Sequence, residues 1–363
     1  MTAPAQGRHR RVGRLTLAAA LIAAPLSAQW QIDSKDGKAS LKVGLLAQPQ
    51  GEWVETADGS GYSQNLFLRR LRILLGGSLT DRWSFFFETD SPNLGKADAQ
   101  GVKNEADIFV QDFFVTYSHN DAFKVDAGLL LLPLSHNHGQ SAATLLPVDY
   151  CPYTFAGCVP LKERVGRDYG VAVRGYPFGR RLEYRAGVLQ GLRGSEARNP
   201  LRVLGRLVYY PFDAETGYFY GGTFQGGRKV LAIGASYDAQ KDYRSYAVDV
   251  FYEQPIRKGE QGFTGQFDWL HLDGGALAPT LPRQDTYLVE AGYHLKKGRF
   301  TPFVQYSRRS FDASVPDQSA WQAGLAWWVK GHNRNLKASA GRLHTDGQPD
   351  RTQVLVQLQI FYY

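Results

Sequence analysis

Beyond residue 28 the chain repeats one pattern: runs of about 9 to 14 residues in which apolar side chains alternate with polar or small ones. Successive side chains of an extended chain leave on opposite faces, so this period of two predicts strands. Sixteen runs are legible, at 38–48, 64–79, 83–91, 107–118, 122–132, 168–177, 181–191, 201–212, 229–239, 243–254, 262–273, 285–297, 299–310, 319–331, 335–345 and 350–363. In 285–297, Tyr287, Val289, Ala291, Tyr293 and Leu295 share one face, and Thr286, Glu290, His294 and Lys296 share the other. In 319–331 the apolar face is Trp321, Ala323, Leu325, Trp327 and Val329.

Alternation alone fits a soluble sandwich with its apolar face inward or a membrane barrel with that face outward. No run of about 20 apolar residues follows residue 28, so helical spans are absent from the pattern. Connection lengths argue for the barrel, because membrane barrels join strands by short turns at one end and longer loops at the other. Counting from a periplasmic N-terminus, Thr80-Asp81-Arg82, Ser118 to Asp121, Phe178-Gly179-Arg180, Lys297-Gly298 and Gly331 to Arg334 are tight turns in the expected gaps. The longer gaps 49–63, 92–106, 133–167 and 274–284 alternate with them. Two gaps break the rule: 213–228 is long where a turn is expected, and Ala239 to Asp242 is short where a loop is expected. Counts of 14 or 18 strands therefore stay open as alternatives.

The N-terminus supplies the export signal that a barrel requires. Arg8, Arg10, Arg11 and Arg14 precede an apolar run from Leu15 to Leu26, and Ser27-Ala28 stand before Gln29. A basic head, a short apolar middle and a small residue before a polar one form a secretory signal peptide, with cleavage expected after Ala28 and a barrel domain over 29–363. Cleavage removes four Arg and no acid, so 42 basic residues become 38 against 34 acidic ones and the net charge falls from +8 to +4. That excess is small and scattered, with no groove-binding run of Lys or Arg, which excludes nucleic acid as a partner. The mean hydropathy of −0.34 is compatible with a membrane barrel, whose lumen residues dilute the lipid-facing ones. The 20 Tyr, 20 Phe, 7 Trp and 39 Gly suit pleated strands joined by turns. Cys151 and Cys158, seven apart in CPYTFAGC, are expected to form a local disulfide in an oxidising compartment. The final strand closes on Gln359-Ile360-Phe361-Tyr362-Tyr363, an aromatic end similar to the signal read by the barrel-assembly machinery, which periplasmic chaperones would supply. Its apolar face of Val354, Val356, Leu358, Ile360 and Tyr362 is one residue out of phase with Tyr363.

Several segments, in order over nearly the whole mature chain, resemble the phosphate-selective porin O and P family: FLRRLRILLGGSLTDRWSFFFETD at 67–90, DIFVQDFFVTY at 107–117, GRDYGVAVRG at 166–175, RLEYRAGVLQG at 181–191 and WWVKGHNRNLKASAGRL at 327–343. The resemblance implies an all-β, 16-stranded antiparallel transmembrane β-barrel in the outer membrane, usually a homotrimer. It also implies an inward-folded constriction loop after the fifth strand, here 133–167, and passage of anions such as phosphate.

A channel of this kind breaks no bonds; its charges and width choose the solute. Arg suits phosphate because its planar guanidinium donates two parallel hydrogen bonds to an oxyanion. By alternation Arg70, Arg72, Lys124, Arg174, Arg185, Arg202 and Arg206 point inward, and Lys162, Arg164 and Arg167 end the expected constriction loop, which makes them the first candidates for its narrowest point. Glu88, Asp112, Asp126, Glu183, Asp249, Asp268 and Glu290 point inward beside them, so an ordinary wall crosslinked by salt bridges is the competing reading. His136 and His138 in SHNHG are a weak metal pattern, GYFYGGTFQGG at 217–227 has no Lys before Ser or Thr and so is no nucleotide loop, and no G-x-S-x-G elbow accompanies Ser141 or Ser195. No cofactor is expected. A barrel hydrolase and a plugged barrel of adhesion or envelope integrity are the rivals to a porin.

Overall fold

The computed structural model describes residues 30–363 apart from 106, 132 and 313; the expected signal peptide lies outside the described residues. A short strand, β1 (Trp30–Asp33), pairs with the start of β2 (Ser40–Glu55). The chain then runs through β3 (Tyr62–Ser78), β4 (Trp83–Asp90), β5 (Phe109–Asn120), β6 (Phe123–Leu131), β7 (Arg167–Gly175), β8 (Leu182–Leu189), β9 (Arg202–Tyr209) and β10 (Val230–Gln240). It continues through β11 (Tyr243–Ile256), β12 (Gln261–Asp273), β13 (Gln284–His294), β14 (Phe300–Phe311), β15 (Gln318–Lys330), β16 (Arg334–Thr345) and β17 (Arg351–Tyr362). Each strand from β2 onward pairs antiparallel with the next, and β17 returns to β2 from Gln353↔Val54 to Tyr362↔Leu45, closing a barrel of sixteen strands. Closure leaves no open edge among these sixteen strands, the condition for a sheet to sit in lipid where water cannot satisfy its backbone.

The sixteen expected strands are all present, and β1 is an addition to them. The main boundary shift is β2, which runs through Pro49 to Glu55 and reduces the expected loop 49–63 to 56–61. Pro49 reads as a strand breaker because it lacks an N–H, but here it sits at a bulge: Ala47 pairs with Leu71 and Pro49 with Leu68, so Arg69 and Arg70 both lie opposite Gln48.

The faces sort as in a membrane barrel. Val289, Trp321 and Leu325 are about half exposed on the outside, whereas Thr286, Glu290 and His294 are buried within. An inward Lys or Arg turned to lipid would cost roughly 2 to 4 kcal/mol near the midplane, and a Glu somewhat less, which fixes the register. Lys296 departs from the expected inward set, because β13 ends at His294 and Lys296 lies exposed in the following turn.

Two connections enter the lumen. The segment 132–166, at the loop end, contains the helical turn His136–Gly139, capped by Ser135 Oγ accepting from His138 N at 3.2 Å. Wall side chains hold its backbone: Lys337 Nζ donates to Pro147 O at 3.0 Å, Gln359 Nε2 to Ala143 O at 2.8 Å, and Asp268 accepts from Asn137 N at 2.9 Å. Leu146 and Val148 pack on Phe303, Trp328 and Leu355 of the wall. The second entrant is 210–229, the long gap that broke the alternation of turns, at the opposite end where β2 starts and β17 finishes. It meets the first in the lumen: Tyr220 N donates to Gly139 O at 2.9 Å and Ser141 N to Tyr220 O at 3.0 Å. The approach requires glycine, since a Cβ on Gly139 would lie 2.5 Å from the Tyr220 ring and one on Gly222 would lie 2.6 Å from Thr144 O.

His136 ties the two segments ionically, its Nε2 lying 2.8 Å from Glu215 Oε2 and its ring stacked on Tyr220 and Phe251. Burial pulls the imidazole down, but the adjacent Glu215, with Asp249 and Asp268 beyond, outweighs it and raises the pKa above the ordinary 6.5. A raised folded value stabilises fully below the unfolded pKa and is lost as pH rises through the folded one. Thermal stability in detergent is therefore expected to fall as pH climbs above about 6.5, with His136→Gln flattening that dependence; an unchanged slope in the variant would show that His136 does not carry it.

Candidate functional site

Along β2, β3 and β4 the inward positions are polar, then apolar, then polar again. Towards the loop end, Gln50, Glu52, Phe67, Arg69, Arg70, Arg72, Asp90, Lys96, Asp149 and Arg167 line a cavity of about 500 Å³, shared by these strands and the inserted loop. Towards the other end, Lys42, Ser78, Ser84, Phe86, Arg174 and Tyr363 border a second space of about 420 Å³. Between them Leu46, Leu74, Phe86 and Phe361 of the wall meet Ala142, Ala143 and Tyr150 of the loop. On each of the four wall strands this apolar cluster lies between the residues of one cavity and those of the other. This buried cluster is the apolar waist that separates the two cavities on the β2–β4 side. The β9–β16 side is filled by the two inserted segments.

The bulge in β2–β3 shapes the upper cavity. With two residues opposite Gln48, both Arg69 and Arg70 turn inward onto Asp149: Arg69 Nε is 2.5 Å from Oδ2, and Arg70 Nη2 is 2.6 Å from Oδ1. Burial would raise the Asp149 carboxyl, but the two guanidiniums outweigh it and hold it well below the usual carboxylate range. Arg72 bridges Glu88 at 2.6 Å and Asp90 at 2.8 Å, while its buried Nε has no hydrogen-bond partner among the described residues. Arg167 grips Asp112 through Nε at 3.2 Å and Nη2 at 3.1 Å. The cavity lining carries five cations (Arg69, Arg70, Arg72, Lys96, Arg167) against three carboxylates (Glu52, Asp90, Asp149), while Glu88 and Asp112 pair with Arg72 and Arg167 from behind the lining, so the cations are the groups turned to the space.

The structure divides the residues that the sequence singled out. Arg70, Arg72 and Arg167 line the upper cavity and Arg174 the lower one, where it pairs with Asp126 at 2.6 Å. Arg185, Arg202 and Arg206 instead anchor the inserted segments. Arg185 pairs with Glu183 and donates to Tyr218 O at 2.7 Å. Arg202 joins Asp238 to Glu163 of the loop, and Arg206 grips Asp249 at 2.6 and 2.8 Å while reaching Tyr220 Oη at 3.0 Å. Lys124 is part-buried, 3.9 Å from Asp121. Lys162 and Arg164, expected near the narrowest point, are exposed; Arg164 lies over the Phe109 ring at 4.6 Å and bonds Val110 O. The loop has already turned back to the rim there, before entering β7. Sequence reading missed Arg69, because strict alternation sends it to lipid, and Lys96, which lies in a loop.

Cys151 and Cys158 depart from the expected disulfide: both are free, buried thiols. Cys151 packs with Tyr153 and Leu288, whereas Cys158 borders a small space beside Leu161, Glu163 and Arg202. Successive backbone turns between them, such as Thr154 N to Cys151 O and Cys158 N to Phe155 O, shape the segment without a crosslink. The His136 ring bonds Glu215 and Gln140, His138 lies beside Phe155, Ser141 accepts from Ala143 N, and Ser195 sits in an exposed turn.

The ion pairs carry a stability prediction. Arg167→Gln leaves the fully buried Asp112 without its cation and is expected to cost about 3–5 kcal/mol in urea unfolding, with much of that loss recovered by Asp112→Asn in the same chain. Equal losses in the single and double variants would contradict the pairing.

The model of the family described as phosphate-selective porin O and P matches residues 54–269. No curated protein sequence matches the chain. Among solved structures, OmpF of Salmonella typhi is similar with a TM-score of 0.62 at 15% identity, covering 91% of this chain and 100% of that one. The anion-selective porin from Comamonas acidovorans follows at 0.59 and 12%, covering 90% and 100%. OmpT of Vibrio cholerae in its trimer form gives 0.56 and 10%, also covering 90% and 100%. At these identities the likeness is one of fold, a closed outer-membrane barrel. With the family model spanning more than half of the sequence, the chain belongs to the phosphate-selective porin O and P family of outer-membrane channels.

Proposed function

We propose that this porin is a passive channel that favours small anions, phosphate among them, over cations. The observation that carries the reading is the upper cavity, where Arg69, Arg70 and Arg72 stand on one strand and the lining holds more cations than carboxylates. Confined charge in a low-dielectric wall concentrates counter-ions, so a modest surplus biases which ions enter. Most of these guanidiniums are already engaged by carboxylates, which leaves Lys96, about a third exposed and with one partner at Glu52, as the donor for a passing oxyanion. This supports anion preference more strongly than tight phosphate binding. Export by cleavage after Ala28, delivery through periplasmic chaperones to the barrel-assembly machinery, and a homotrimer in outer-membrane lipid complete the proposal; the Vibrio cholerae trimer supports the last.

A second reading has its own observation. Two inserted segments bonded to each other and an apolar waist are features of a plugged barrel. Planar-bilayer recordings in a salt gradient separate the two. The channel reading expects discrete steps with an anion-selective reversal potential, current reduced by added phosphate, and a shift of the reversal potential towards cations in the Arg69→Gln/Arg72→Gln variant. Silence in the wild type favours the plug, and an unshifted variant removes the cavity as the source of selectivity.

A further inference from the structure

The lower cavity contains a group of rings that anion preference does not use. Phe86 and Phe114 come from the wall, Tyr218 and Phe219 from the inserted segment 210–229, and Tyr363 follows β17. Phe114 stacks on Tyr218 at 4.0 Å, and Phe86 meets the edges of Phe219 and Tyr363 at 5.5 and 5.7 Å. Other inward rings, such as Phe251, Phe303 and Trp328, are buried against the inserted segments. The rings of the lower cavity border about 420 Å³ of open space rather than filling it, and Phe86, Phe219 and Tyr363 keep part of their surface exposed. Apolar surface left towards water is unfavourable unless something covers it.

Two cations border the same space, of which Arg174 is already paired with Asp126 at 2.6 Å. Lys42, inward on β2, forms no ion pair among the described residues, and the Arg174 guanidinium lies over the Tyr218 ring at 5.3 Å. Among the described residues no side-chain carboxylate borders the cavity, in contrast to the upper one. Ring faces beside an unpaired ammonium are complementary to a flat apolar body bearing a negative charge. We propose that this lower cavity is a binding subsite for aromatic carboxylates, the solute ring packing against Phe86, Phe219 and Tyr363 and its carboxylate meeting Lys42. The proposal rests on the channel reading and narrows its solute class. The space has the size of a small-molecule site, roughly 300–1,000 Å³.

The test uses the full mature chain in planar bilayers, with benzoate, acetate or phosphate added to carry or block chloride current. Benzoate is expected to block at about tenfold lower concentration than acetate, the scale that one or two ring contacts provide. Phe219 lies outside the strands, so barrel closure does not depend on it. Phe219→Ala is expected to bring benzoate to the level of acetate and Phe219→Tyr to preserve the difference, with phosphate block equal in all three proteins. Equal block by benzoate and acetate in the wild type, or an undiminished preference in Phe219→Ala, overturns the subsite while anion-selective current keeps the channel reading intact. Absence of any current overturns both.

Discussion

A strand in hydrocarbon must give every backbone N–H and C=O to a neighbour, so the sheet has to close on itself, and the pairing of β17 with β2 is the contact on which everything else depends. Closure sends one face of every strand to lipid and the other inward. The inward face is therefore polar and charged, and its charges lie out of reach of bulk water over much of the barrel. They cannot be left alone: Arg72, Arg167, Arg174, Arg185, Arg202 and Arg206 each meet a carboxylate, mostly on the same or an adjacent strand. The wall is crosslinked by the charges that closure forces inward.

The inserted segments follow from the same constraint. Backbone in the lumen needs partners too, and the wall supplies them as side chains: Lys337, Gln48, Gln359 and Asp268 hold 132–166, and Glu253 accepts from Phe224 N and Gly226 N to hold 210–229. With the β9–β16 side filled, the open space lies along β2 to β4, where a charged cavity, a packed apolar waist and a ring-lined cavity follow one another. Apolar constrictions control conduction by how readily they wet, while charges above and below select what reaches them. On the proposed reading the two roles are separated along one wall.

Most of the barrel was legible because period-two alternation is imposed by lipid on one side and water on the other, and it persists through every strand. The inward polar sets of β3 to β13 follow from it directly. Local irregularity hid the rest. Pro49 reads as the end of a strand, yet a bulge absorbs it, and the same bulge turns Arg69 inward against the alternation. Lys162 and Arg164 follow the constriction loop in sequence, but the chain is back at the rim by then. The two cysteines are seven apart, yet the turns between them place the thiols in different surroundings. The long gap 213–228 was visible as an anomaly; that it enters the lumen depends on partners, Glu253, Thr144 and His136, scattered over the chain.

The central claim is the location of the path, along β2–β4 through the waist rather than behind the inserted segments. Cysteine substitution tests it most directly: Leu74 lies in the waist, and Leu288 faces inward but packs against Cys151 of the loop. A charged thiol reagent applied to single channels is expected to reduce the current of Leu74→Cys and to leave Leu288→Cys and the wild type, with its buried thiols, unchanged. Block of Leu288→Cys with Leu74→Cys unaffected would place the conducting path elsewhere and contradict the account.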